Sequence, residues 1–227
     1  MKQNQTQNEP KIQRCKRCKK RARMEEVNLC PICYEKKCKE MEKEFEQSKQ
    51  LFRKWYLKRD WLVLDTESTG GGREDEIIEI GITDATGTIL FESLVKPSQP
   101  IPKRTTDIHG ITDEMVQDAP AWSEIWPEVG SIIQGKTVLM YASDADIMMI
   151  RRTCKKYQLP LISYDPRCVM KMYKQLHRDE RFVSLTRALG QKEIEYTPSH
   201  RATSDCEGLR LLVLSIGGQL VEEEAQV

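Results

Sequence analysis

The sequence predicts a mixed α/β domain preceded by a small cysteine-rich metal-binding module, and three observations carry that expectation. β-branched and apolar runs come first, within residues 61–95, and helix-like segments alternating with a further strand follow them. Five of the eight cysteines fall within residues 15–38, four of them as two Cys-x-x-Cys pairs. Hydrophobic residues make up 39% of the 227, enough to fill the core of one ordinary domain, while no apolar run approaches the ~20 residues a membrane span needs.

Residues 1–12 are polar and are expected to be a disordered tail. They lack the apolar stretch of a secretory signal, so a cytoplasmic protein without a membrane partner is expected. The module follows over residues 13–38. Cys15, Cys18, Cys30 and Cys33 form C-x2-C-x11-C-x2-C. Four thiolates at two knuckles suit one tetrahedral, structural Zn²⁺, and the absence of an export signal favours metal over disulfides. The loop of eleven is short for a zinc ribbon, which predicts a compact ribbon-like unit. Cys38 is an alternative ligand, and free thiols are the bland alternative. Lys16, Arg17, Lys19, Lys20, Arg21 and Arg23 crowd the first knuckle and the loop. They suit phosphates, and they equally suit protein docking.

Charge divides the chain. Residues 1–60 carry 18 Lys and Arg against 9 Asp and Glu, a balance of +9; residues 61–227 carry 18 against 26, a balance of −8. A basic attachment can meet a polyanion, and an acidic body can hold cations. From Glu35 to about Lys58 the chain is rich in Lys and Glu and free of Gly and Pro, predicting a charged helical linker over 39–58.

The body spans 59–217. Trp61 to Leu64 is a short apolar strand ending in Asp65, followed by a loop at Gly70-Gly71-Gly72. Two β-branched runs flank Thr86-Gly87, a hairpin signal. A proline-bounded loop, 97–102, leads to His109-Gly110-Ile111-Thr112, where Thr112 caps a short helix. Helices are predicted over 121–133, 143–157, 184–189 (stopped by Gly190) and 202–216, with a strand at 137–141. Cys154 and Cys206 fall in helix-like segments as small buried side chains. Residues 218–227 form an acidic tail.

Candidate chemistry begins at Asp65 and Glu67. Two residues apart on a strand, they share a face, and two carboxylates on one face repel unless a cation or proton lies between them. Ser68 and Thr69 add hydroxyls suited to a phosphate or nucleotide. Asp146 falls in the first turn of a predicted helix, where Asp144 and Asp146 also serve as dipole-stabilised helix-start acids. His200 and Asp205 lie about 140° apart on a helix, so His200 belongs at the helix start or in the loop before it. There it can accept a proton from a water at neutral pH.

Taken in order, DTESTG at 65–70, DIHGIT at 107–112, Asp146 with its apolar tail, and His-x4-Asp at 200–205 resemble the DnaQ-like exonucleases. Within these they resemble the DEDDh branch, which includes the proofreading subunit of bacterial DNA polymerase III. The resemblance covers about residues 59–217. It implies a ribonuclease H-like fold, a mixed five-stranded sheet flanked by helices. It further implies that Asp65, Glu67, Asp146 and Asp205 hold two Mg²⁺ or Mn²⁺ ions, with His200 as general base. Thr66, Ser68, Thr69 and His109 would contact substrate, although His109 equally suits a simple turn into a helix. One motif departs from the family pattern H-N-x-x-F-D, because Ala142 and Ala145 replace its Asn and Phe and leave Asp144 as a rival to Asp146. The implied activity is 3′→5′ hydrolysis of DNA, single-stranded or frayed at its end, to 5′-mononucleotides. Docking to a polymerase or other replication or repair protein is the expected partnership. An RNA exonuclease of the same branch and a non-catalytic nucleic-acid adaptor are the alternatives.

Overall fold

The computed structural model describes residues 13–24, 26–178 and 181–226; the tail expected over 1–12 lies outside them. Five strands form one sheet in the order β3-β2-β1-β4-β5. β1 (Trp61–Ser68), β2 (Ile77–Asp84) and β3 (Ile89–Leu94) are antiparallel neighbours, whereas β4 (Thr137–Met140) and β5 (Asp165–Cys168) run parallel to β1. This is the ribonuclease H-like arrangement. β1 continues past Leu64 because β2 pairs with it to its end, Asp65 facing Gly81 and Glu67 facing Glu79.

Both faces of the sheet are covered, which is why Trp61-Leu62-Val63-Leu64 is apolar throughout rather than alternating. Trp61 and Val63 pack with Leu209, Leu212 and Val213 of α8 (Ala202–Ala225). Leu62 and Leu64 pack on the other face with Trp122, Trp126 and Val129 of α4 (Trp122–Ile133) and Met149 of α5 (Ser143–Lys156). The odd-numbered row of β1 therefore leads under the start of α8, and the even-numbered row leads towards α5.

Three elements were not predicted. α2 (Lys103–His109) follows the proline-bounded loop and ends at Gly110, whose φ of +73° closes it in a left-handed turn. β5 contains Pro166, and it is tolerated because β5 is an edge strand paired only with β4. α6 (Val169–Leu176) starts directly from β5 and buries Val169 and Tyr173. Thr112 caps α3 (Asp113–Val116) by accepting from Met115 N–H, and Ser184 likewise caps α7 (Leu185–Gln191). α7 runs through Gly190 rather than stopping there.

Two helices are longer than predicted. α8 continues through the segment expected as an acidic tail. α1 (Pro31–Lys58) begins at a proline in its first turn, four residues before Glu35, so Cys33 is a helical residue. No break separates the cysteine module from the helix that follows. That helix also belongs to the core: Phe52 and Trp55 are buried, and Trp61 Nε1 donates to the Trp55 carbonyl at 2.8 Å. Gly217 lets α8 approach α1, since a Cβ there would lie 2.5 Å from Tyr56 Cβ and 2.7 Å from the Phe52 carbonyl oxygen. Among the described residues, no helix is long and apolar enough to cross a membrane.

Candidate active site

The odd row of β1 delivers Asp65 and Glu67 to the α8 face, and α8 delivers Asp205 from its first turn. One carboxylate oxygen of each lies within 4.8 Å of the others. Asp146 reaches the site from the first turn of α5 and is 7% exposed. It stands outside that three-acid group, turned by Thr66, whose hydroxyl donates to Asp146 Oδ1 at 2.8 Å. Thr66 can do this because it lies on the even row of β1, facing α5. Asp144 is exposed instead, beside a groove shared with Gln47 of α1 and Lys171 of α6.

Crowding and burial set the electrostatics. Burial pushes Asp65 far above the carboxylate range, and Asp146, Asp205, Glu67 and Glu79 push it further. Glu67 rises to about 8, through burial and then Asp205, Glu79 and Asp146. Asp146 rises to about 7 through burial, against the hydrogen bond from Thr66. Burial also raises Asp205, against the nearby His200. All four shifts favour the protonated acid in the metal-free site, and a divalent cation reverses that preference. Asp205 Oδ1 is buried without a hydrogen-bond partner, an unsatisfied acceptor that fits a nearby cation. Hard oxygen donors in this number suit Mg²⁺ or Mn²⁺.

His200 lies immediately before the N-cap of α8, exposed, with a φ of +53°. Its backbone hydrogen-bonds the Asp205 carboxylate. The other predicted residues are placed differently. Ser68 Oγ donates to the Gly70 carbonyl, and Thr69 Oγ1 donates to Asp75 and accepts from Glu76 N–H. Their hydroxyls shape the loop after β1. His109 is 5% exposed; its Nδ1 accepts from Ile111 N–H at 3.0 Å, which in the neutral ring places the proton on Nε2. Burial lowers its pKa and keeps it neutral, against the Ser68 backbone and the Glu79 charge. Nε2 is itself buried.

Sequence reasoning missed Glu79. It is buried, faces Glu67 across the β1–β2 pairing, and is held by Arg201. The available signal was a glutamate within the buried apolar run Ile77-Ile78-Glu79-Ile80. Such a residue needs a partner, and none is visible locally.

The second cluster is the cysteine module. The Sγ atoms of Cys15, Cys18, Cys30 and Cys33 lie within 4.8 Å of one another, while Cys38 is exposed and outside the group. The backbone N–H of Cys18 leads the influences that bring the Cys15 thiol down to about 6, while burial pushes Cys33 up to about 12, so the four thiols become thiolates together only around a cation. The cluster fits zinc. Lys16, Lys19, Lys20 and Arg21 are exposed on this module, whereas Arg17 pairs with Glu40 of α1.

Comparison with known proteins agrees with this geometry. The model of the exonuclease family RNase_T matches residues 62–210. An uncharacterized exonuclease, CP81, of Escherichia phage 186 is 35% identical over 170 residues, covering 69% of this chain and 87% of its own. DNA polymerase III subunit epsilon of Pasteurella multocida is 31% identical over 175 residues, 70% of this chain and 68% of its own. Among solved structures, exonuclease X in complex with 5′ overhanging duplex DNA superposes with a TM-score of 0.56 at 25% identity, covering 70% of this chain and 92% of that one. The nuclease domain of the DEDDh family member 3′hExo, bound to rAMP, shares the fold with a TM-score of 0.60 at 17% identity, covering 71% and 94%.

Proposed function

The chain belongs to the RNase T exonuclease family and is of the DnaQ-like, DEDDh type; on that premise we propose that it hydrolyses terminal phosphodiesters of DNA in the 3′→5′ direction, releasing 5′-mononucleotides. The observation that carries this reading is the gathering of Asp65, Glu67 and Asp205 beside Asp146, with one buried oxygen left over for a cation. These four acids would hold two Mg²⁺ or Mn²⁺ ions, whose charge would lower the pKa of a water and offset charge on the leaving oxygen. His200, exposed at the mouth of the cluster, takes the proton from that water. The water oxygen bonds to phosphorus, the bond to the 3′-oxygen breaks, and solvent supplies the proton that oxygen needs. Thr66 orients Asp146. Ser68 and Thr69 hold the loop that borders the terminal nucleotide, and His109, buried behind it, supports that loop at the Ser68 backbone. DNA is favoured because the DNA polymerase III subunit is similar in sequence, and the DNA-bound exonuclease X in both sequence and fold.

The cysteine module takes one structural Zn²⁺ in this reading, and its exposed lysines and arginine hold nucleic-acid backbone near the acidic body. The protein would act in the cytoplasm at DNA 3′ ends, alone or docked to a polymerase. The test is digestion of 5′-labelled DNA and RNA oligomers, single- and double-stranded, with Mg²⁺. Shortening of DNA from its 3′ end is expected, with loss of activity in Asp65→Ala. Turnover at the wild-type rate by folded Asp65→Ala would refute the assignment, and preferential RNA digestion would reassign the substrate.

A further inference from the structure

Glu79 occupies a position that a buried β-strand rarely gives to a carboxylate. Its side chain is 2% exposed, on β2 directly across from Glu67. Placed against another acid, it would be strongly unfavourable without compensation. The compensation comes from the start of α8. Arg201 Nε donates to both Glu79 oxygens, at 2.8 and 3.1 Å, and Nη2 donates to Oε1 as well. Ala202 N–H donates to Oε2 at 2.9 Å. Glu79 thus caps α8 from another strand, filling the role that the N-cap Arg201 side chain does not perform on its own helix.

Two neighbours show how closely this joint is fitted. Gly81, on the same face of β2, would place a Cβ 2.8 Å from Thr203 N and 2.9 Å from Ala202 C, so α8 rests on the strand backbone itself. Thr203 Oγ1 donates to Glu92 of β3 at 2.7 Å. His200 is the next residue out. It is exposed and adopts a left-handed φ of +53°, which turns the chain into the start of α8. Its own backbone meets Asp205, and the residue that follows it, Arg201, is anchored by its fork on Glu79.

We propose that Glu79 and Arg201 form a positioning couple, a charged clamp between β2 and the start of α8 that aims His200 at the Asp65–Glu67–Asp205 cluster. The couple touches neither metal nor substrate; it acts through His200. The proposal rests on the exonuclease reading above, including His200 as the base. The fork geometry is the essential part, because a lysine would keep the charge of Arg201 but not its two-pronged hold.

Arg201→Lys and Glu79→Gln test this. For each variant, kcat and KM are measured on a 5′-labelled DNA oligomer at saturating Mg²⁺, in the wild-type background and in His200→Ala, alongside a thermal melt. Misaiming a catalytic group by about an ångström costs rate rather than affinity, so kcat should fall about tenfold or more while KM moves less than about twofold. In His200→Ala the same substitutions should cost less than about twofold, because the group they position is gone. Wild-type kcat in folded Arg201→Lys would overturn the proposal. So would a rise in KM alone, which would place Arg201 on the substrate, or losses that simply multiply in the His200→Ala background. The imidazole resonances of His200 read the couple without turnover: they should shift or broaden in Arg201→Lys, and an unchanged spectrum counts against it. If wild-type protein failed to digest the oligomer while this spectrum responded, the functional reading would fall and the clamp would stand.

Discussion

Replacing Asp146 by Asn should stabilise the metal-free protein while abolishing its activity. The native fold holds Asp146 protonated up to a pKa of about 7, against 3.8 for an ordinary aspartate, chiefly because it is buried. Between those values the folded state binds a proton that the unfolded state has released, so stability falls as pH rises. The loss begins as pH passes 3.8 and is complete above about 7. Each pKa unit is worth 1.36 kcal/mol, so the roughly three units at Asp146 amount to about 4 kcal/mol at pH 8. Asn is neutral at every pH and keeps the oxygen that accepts from Thr66, so it avoids that loss without opening a cavity. For a chain of this size the gain corresponds to a rise in melting temperature on the order of 10 °C. The assay is a melt of both proteins from pH 4 to pH 8.5, in buffers freed of divalent ions by chelating resin rather than by EDTA, so that zinc stays in place. The Asp146→Asn variant should melt higher than wild type at pH 8, and the gap should close towards pH 4, as the unfolded wild type takes up its proton too. Millimolar Mg²⁺ or Mn²⁺ should narrow the gap or reverse it, because ions that bind only the folded wild type add about 2.7 kcal/mol at 100 times Kd. A variant less stable than wild type at pH 8 without metal, or a gap independent of pH, would refute the reasoning.

Two further outcomes concern the helix that joins the module to the body. Cys33 lies in the first turn of α1, and most side chains from 31 to 47 are exposed, so little but the module secures that end. Cys33→Ser, or removal of zinc with a strong chelator, should melt about three turns of helix, visible by far-UV circular dichroism, while the main thermal transition persists. Unchanged helicity would show that α1 needs no metal. Gly217→Ala would normally strengthen a helix by about 1 kcal/mol, but here its Cβ meets Tyr56 Cβ and the Phe52 carbonyl oxygen, and overpacking of this kind costs about 1–3 kcal/mol. A net fall in melting temperature is expected, and a rise would mean that α1 and α8 separate easily.

Much of the site was legible because its signals are local. The apolar run Trp61-Leu62-Val63-Leu64 leads straight into Asp65 and Glu67, and period two alone puts those acids on one face. The spacing of the four cysteines is equally local, as are the caps at Thr112 and Ser184. Asp205 and His200 could be placed around a helix start from the pattern that follows them. Other elements had no such signal. Pro166 argues against a strand until the edge position of β5 is known. α1 looks like a charged linker because its polar residues outnumber Phe52 and Trp55, whose burial depends on α8 arriving with glycines at 217 and 218.

The amino-acid sequence by itself determined which groups could do chemistry: an acid pair on a strand, acids at two helix starts, a histidine beside one of them, and four thiols in a short span. Tertiary structure decided how those groups are held. It placed Asp205 with the β1 pair and left Asp146 to one side under the control of Thr66. It also gave Glu79 a partner 122 residues away in the chain. Periodicity and capping are written over a few neighbouring residues, whereas a buried charge is tolerated or excluded by whatever the fold brings against it. That pairing is a property of the docked helix and strand, and neither segment shows it alone.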